Sequence, residues 1–140
     1  MKLDYFVFFI LIISFASFLS DPTFRNCIVN KNKSEQFQIL VIIYIHHLIV
    51  TFAYLGWLTD NIVLLFIYLL TPILIGLHWL TNNYQCYFTL EINKLCGTQI
   101  GFSALLDNVP LGPFKELVGT IGLTVGFIGY FIGLCKFLRL

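Results

Sequence analysis

Apolar residues run in four long blocks, at 3–19, 37–58, 62–80 and 117–138, separated by polar stretches. None shows the strict alternation of a half-buried strand, and all are too long for one, so each reads as a helix. At 1.5 Å per residue the second and third reach about 33 Å and 28 Å, matching a hydrocarbon core of about 30 Å. Trp57 and Trp79 fall at their ends, where indoles sit at a membrane interface. Thr59-Asp60-Asn61 is so short a linker that it forces these two blocks into an antiparallel hairpin. The first block, interrupted only by Asp4, is at the short end for a span. Met1-Lys2 is a weak basic region, and Phe18 and Leu19 stand where signal cleavage needs small residues. We therefore expect an uncleaved anchor and not a signal peptide. The fourth block ends in Lys136 and Arg139, whose long stems let their charges snorkel to water. The pattern predicts an all-α, integral membrane four-helix bundle, with residues 1–140 forming a single membrane domain.

The connecting stretches refine this. Thr89 is placed to cap a short helix at 90–96, with Glu91 in its first turn and Gly97 as its stop. Phe88, Ile92 and Leu95 share one side of it, so it reads as an interfacial amphipathic helix between spans three and four, or as a helix packed over the bundle mouth. Pro110, Gly112 and Pro113 make an irregular entry to the last span. Four spans put both termini on one side and the 20–36 and 81–116 loops on the other. The terminal side carries Lys2, Lys136 and Arg139, and the loop side Arg25, Lys31, Lys33, Lys94 and Lys115. The excess of two cations leans the loops towards the cytoplasm. Asn32-Lys33-Ser34 is a glycosylation sequon if that side is lumenal.

Two helical faces stand out. Gly119, Gly122, Gly126, Gly129 and Gly133 advance by 3, 4, 3 and 4 residues, which keeps them on one side of a helix. Glycine costs a helix up to about 1 kcal/mol per residue, so a stripe of five marks a face where another backbone comes close. The partner is span two or three of the same chain, or span four of a second copy. Gly126, at the stripe's centre, is expected to be the position least tolerant of leucine.

The second face is polar. Tyr44, His47, Thr51 and Tyr54 align on span two, and Tyr68, Thr71 and His78 on span three. Polar side chains in hydrocarbon turn towards protein, so the stripes are expected to oppose each other across the hairpin, with His47 near Thr71 and Tyr68 near Thr51. Pro72 releases the carbonyl of Tyr68, which a neighbouring hydroxyl can occupy. An ionisable residue inside a span is a functional hypothesis by default. For His47 the alternatives are a proton relay, an ion path or cofactor ligation, against a neutral histidine with ordinary hydrogen bonds. The latter is favoured because no acidic residue falls within the apolar blocks near His46 and His47. Haem ligation by His47 and His78 is disfavoured by a depth difference of roughly 10 Å. Adjacent His46 and His47 point about 100° apart and do not share a metal.

Composition supports the membrane reading and removes other classes. The chain is 59% hydrophobic and 11% charged, with mean hydropathy +0.89, against about 25% charge in soluble domains. A net charge of +1 gives no nucleic-acid footprint. Phosphate-loop, HExxH, CxxC and GxSxG motifs are absent, so no metal site, cofactor or catalytic residue is assigned. Cys27, Cys86 and Cys96 all fall on the loop side, forming a candidate thiol site. Membrane thiol oxidoreductases use a CxxC pair that is missing here, so structural or inert cysteines are preferred, including a disulfide if that side is oxidising. Thr124-Val125-Gly126-Phe127 resembles the start of a potassium-channel filter. Ile128 replaces the final glycine and too little chain follows for an inner helix, which excludes that reading.

His46-His47-Leu48, Gly56-Trp57-Leu58, the stretch 78–89 and Asn93-Lys94-Leu95-Cys96-Gly97 together resemble small uncharacterised multi-pass membrane proteins of large DNA viruses. More loosely, they are similar to a bacterial four-helix membrane family of unknown function with a membrane histidine, a Gly-rich turn and a Cys-x-x-Thr element. That element is Cys86-Tyr87-Phe88-Thr89 in this chain, with Tyr87 where the bacterial pattern has proline. The resemblance covers residues 46–97 and implies a source and a topology, with no established activity. It points to a viral envelope, an internal membrane or a host endomembrane.

The leading expectation is a structural or assembly role through close helix packing, with the lipid bilayer, a second copy or another membrane protein as partner. The alternatives are a small transporter, channel subunit or proton relay using the histidine face, and a membrane enzyme of thiol or lipid chemistry.

Overall fold

A computed structural model of the chain describes residues 1–21, 27–82, 85–97 and 115–139, excluding the side chains of 115–119 and 123. Arg25, the Pro110, Gly112 and Pro113 entry and the surroundings of Gly119 lie outside the described residues. The elements are α1 (Leu3–Ser20), α2 (Lys33–Leu55) continued by a 3₁₀ turn (Gly56–Leu58), α3 (Ile62–Thr81), α4 (Tyr87–Cys96) and α5 (Lys115–Arg139). No strand occurs among the described residues. Four of the helices, all but α4, are long and apolar enough to cross a membrane.

Local chemistry sets the helix starts. Asn32 Oδ1 accepts from the Glu35 amide at 2.9 Å, and the Glu35 carboxylate accepts from the Asn32 amide at 3.2 Å. This reciprocal capping box starts α2 four residues before the apolar block does. Asn61 Oδ1 accepts from the Val63 and Leu64 amides and starts α3 directly after the turn. The short helix begins at Tyr87, with Cys86 as its N-cap, so Thr89 lies inside it and caps nothing. Gly97 ends it at φ 65°, a left-handed conformation that favours glycine.

α1 buries Phe6, Ile10, Ser14 and Phe18, and α2 buries Ile39, Ile43, His47 and Thr51. Both stripes advance by four residues, the spacing of the ridges through which helix pairs most often interlock. α1 and α2 are accordingly the most extensively packed pair, while α2 and α3 touch far less despite their short linker. Ser14 is fully buried because its hydroxyl donates to the Ile10 carbonyl of its own helix at 2.7 Å. α5 lies against α3, α2 and the 3₁₀ turn, with Tyr130 and Phe137 beside Tyr68 and Phe66.

At the turn end, Asp60 gathers three segments. Its carboxylate meets the Met1 amine and, at 2.8 Å, Lys136 Nζ. Lys136 also donates to the carbonyls of Trp57 and Thr59, so it ties α5 to the turn where snorkelling to water was expected. At the other end, α4 stands along the N-terminal half of α2. Ile92 joins Ile39, Ile43 and Phe18 in one apolar cluster with Cys27 and Ile28 around it, while the Glu91–Lys94 ion pair lies on the exterior. A disulfide joins Cys27 to Cys96, with Cα atoms 5.4 Å apart. The amphipathic helix thus has its apolar side covered by protein.

Candidate functional site

The buried polar centre of the chain forms where α1 ends. Asp21 leaves the helix at φ −76°, ψ 112° as the C-cap. Its carboxylate lies 3.1 Å from His47 Nε2, and Ser17 Oγ lies 2.9 Å from His47 Nδ1. Ser17 and Asp21 are four residues apart and so share a face of α1, and the imidazole of α2 reaches between them. His47 is 5% exposed and Asp21 8%. Phe18 and Tyr44 wall the site, with their rings 5.8 Å apart and Phe18 6.3 Å from the imidazole.

One protonation pattern satisfies both bonds with a neutral ring. Nε2–H donates to the carboxylate, and Nδ1 accepts from the Ser17 hydroxyl. A second proton on Nδ1 turns the Ser17 oxygen from donor into acceptor and makes the histidine–carboxylate pair ionic. Both contacts are therefore compatible with either form of the ring. Its connectivity is that of a hydroxyl–imidazole–carboxylate triad, with the two ring nitrogens exchanged. Nucleophilic use of Ser17 lacks support, because the amides flanking it lie inside α1 and are engaged with that helix's own carbonyls, whereas an oxyanion needs unengaged donors.

The expected opposition of polar stripes across the hairpin is not what forms. His47 bonds to α1 and not towards Thr71, and Tyr44 packs on Phe15 and Phe18. Thr51 is buried on the same stripe as His47. Tyr54 instead lies beside Gly126. Tyr68 is buried among Phe52, Trp57 and Tyr130, with Gly56 and Gly133 against its ring. Thr71 donates to Ile67 of its own helix at 2.8 Å. The extra hydroxyl near Pro72 is that of Tyr130, which donates to Leu69 one residue beyond the predicted carbonyl. His78 accepts the Tyr87 amide at 3.0 Å on Nε2 and contacts Asn82, joining the end of α3 to the start of α4. His46 stacks on Phe88 of α4 at 6.1 Å, with its ring 6.3 Å from that of His47. The physical reason is that α1 and not α3 is the main neighbour of α2, so the polar face of α2 is divided among three partners.

The glycines of α5 face aromatic rings of the same chain. A Cβ on Gly126 would lie 3.4 Å from Tyr54, an ordinary contact. One on Gly129 would come to 2.5 Å from Trp57 Nε1, and one on Gly133 to 2.8 Å from Tyr68 Cε1. Gly122 has only the Tyr54 hydroxyl within reach, at 3.9 Å. The closest approaches are therefore at Gly129 and Gly133, displaced towards the turn from Gly126, where the least tolerance of leucine is expected. The thiol cluster separates too. Cys27 and Cys96 bond to each other, Cys86 is free at the opposite end of α4, and Cys135 is free on α5. No group of His, Cys, Asp or Glu able to hold a metal occurs among the described residues.

Sequence reasoning missed Asp21 and Ser17. Asp21 lies just outside the first apolar block, and only the way α1 lies along α2 brings it level with His47. The i, i+4 spacing of Ser17 and Asp21 was the available signal.

Fold and site together define a class: an all-α, multi-pass membrane protein with a buried histidine–carboxylate pair. No family model, curated protein or solved structure matches the chain.

Proposed function

We propose that this membrane protein handles protons at the Asp21–His47–Ser17 centre, as a proton relay or as the proton-coupled part of a small transporter. The observation that carries this reading is the buried carboxylate 3.1 Å from the buried imidazole. The case for an inert histidine rested on the lack of an acidic neighbour, and Asp21 removes it. Histidine changes charge near neutral pH, and ionisable groups inside membrane proteins are rare and concentrated at proton and ion sites. The test is proton flux into liposomes containing the purified protein, driven by a potassium diffusion potential and read by a trapped pH dye. Wild-type flux should be lost in His47→Gln and Asp21→Asn while both variants keep their helix content and monodisperse elution. Flux equal to that of empty liposomes, or unchanged by both substitutions, would end the proposal.

An assembly role is the second reading, favoured by a different observation. Only 12–28% of the residues in each span's most apolar window are buried within the chain, leaving long apolar faces to lipid or to another span. The tight part of the glycine face is filled by Trp57 and Tyr68, so a partner would use the outer face of α5, where Phe127 and Phe131 project. Detergent-corrected mass by light scattering tests it, and a monomer at all protein-to-detergent ratios would argue against self-assembly.

A further inference from the structure

We infer that the side of the membrane carrying α4 and the 27–33 segment faces an oxidising compartment, and that Asn32 is an acceptor there for an N-linked oligosaccharide. Neither statement depends on the proton-handling reading.

The disulfide carries the first part. Cys27 lies between α1 and α2, and Cys96 ends α4, 69 residues later. Forming this bond removes two electrons and two protons from the thiols, and they pass to a disulfide-donating oxidoreductase of the compartment. Cytosolic reductants hold such pairs as thiols. Cys135 is free at the opposite end of the molecule, beside Lys136, which binds the 57–59 turn. Cys86 is also unpaired, but the length of α4 separates it from Cys96, about 15 Å at the helical rise. The oxidised pair and the exposed thiol of Cys135 thus lie at opposite ends, as a membrane dividing two redox environments would place them. The competing signal is an excess of two cations in the loops. One cation on the loop side, Lys94, is paired with Glu91, and so small a bias sets orientation weakly.

The second part rests on the start of α2. Asn32-Lys33-Ser34 has the acceptor pattern with no proline in the middle, and all three residues are exposed. Asn32 uses Oδ1 for the cap on the Glu35 amide, while its Nδ2 makes no bond among the described residues. An N-glycosidic bond forms at Nδ2 and leaves Oδ1 a carbonyl acceptor, so the glycan and the cap coexist. The donor class is an oligosaccharide joined through diphosphate to a membrane lipid. The Nδ2–C1 bond forms, the C1–O bond breaks, the lipid diphosphate leaves with the electron pair, and the Nδ2 proton passes to a base of the transferase. Asn32 is also seven residues before Ile39, the first buried residue of α2, about 10 Å along the helix, and it is itself exposed.

The experiment is translation of the full chain into endoplasmic-reticulum microsomes, read by gel mobility with and without an endoglycosidase for N-linked glycans. Wild type should show one glycosidase-sensitive shift. Ser34→Ala and Asn32→Asp should both lose it, and aspartate keeps the helix cap, so that loss is not misfolding. Differential alkylation and peptide mass should show Cys27 joined to Cys96. An unshifted chain that has formed the disulfide overturns the glycan assignment. An unshifted chain with Cys27 and Cys96 both reduced overturns the orientation as well. A glycan on Asn61 in the variant Val63→Thr, which makes an acceptor at the opposite end, would also overturn it.

Discussion

Replacing Gly56 by alanine should destabilise the protein by about 1–2 kcal/mol. Gly56 is buried at the start of the 3₁₀ turn with φ −59° and ψ −25°, a conformation alanine adopts freely. The unfolded chain would lose freedom, which alone would stabilise by about 0.4–1 kcal/mol. Against this, the new Cβ would sit 2.8 Å from Tyr68 Cγ and 3.0 Å from Tyr68 Cβ. The Cβ of Tyr68 is fixed to the backbone of α3, so no change of rotamer relieves it, and the hairpin must open. Overpacking of this kind costs about 1–3 kcal/mol, which outweighs the entropic gain. Gly76→Ala is the matched control, because nothing among the described residues lies within 4 Å of its added methyl. In a helix interior it should stabilise by up to about 1 kcal/mol. Equilibrium unfolding in mixed micelles, at fixed detergent composition, measures both. Equal stability of the two variants would refute the claim that α2 and α3 touch backbone to ring at Gly56.

Within α5, Gly129→Ala and Gly133→Ala should lower the midpoint in the same assay more than Gly126→Ala, and the reverse order would refute the aromatic packing of this face. A double-mutant cycle on Asp21→Asn and His47→Gln should give a coupling above the roughly 0.6 kcal/mol average of membrane hydrogen bonds, and additivity would show that the pair acts independently. Lys136, followed by the Met1 amine, holds the Asp60 carboxyl down at about 2. Its contribution is therefore complete above the ordinary carboxylate range and is lost as pH falls from about 4 to about 2. Carboxyl NMR should find Asp60 titrating higher in Lys136→Met but still below its ordinary range, because the Met1 amine remains. Cys27→Ser should speed hydrogen exchange in α4 far more than in α1. Its global cost should fall below the roughly 4 kcal/mol that a loop of this length implies in water, because unfolded spans in a membrane stay helical.

Spans, hairpin and the short helix were legible because the bilayer imposes a length and a polarity that the chain must satisfy by itself. Thr59-Asp60-Asn61 and Gly97 read correctly because turn chemistry is local. Pairing between helices was not legible. Lipid is as apolar as leucine, so apolar content does not say which helix lies beside which, and α1 took the place expected for α3. His47 was recognisable as exceptional from its position, whereas its partners depended on that packing choice. Gly56 went unmarked as a contact because it stands apart from the repeating stripe, although it makes the tightest approach to Tyr68.

The bond between Cys27 and Cys96 closes a ring that contains α2, α3 and α4 and leaves α1 and α5 as tails on either side of it. Both cysteines precede every residue of α5 in the order of synthesis. A cyclised three-helix kernel can then be complete while the last helix is still in the ribosome, with the rings of Trp57 and Tyr68 waiting for it. α5 is the last element to be made, and its glycines at 129 and 133 are what let it lie against Trp57 and Tyr68.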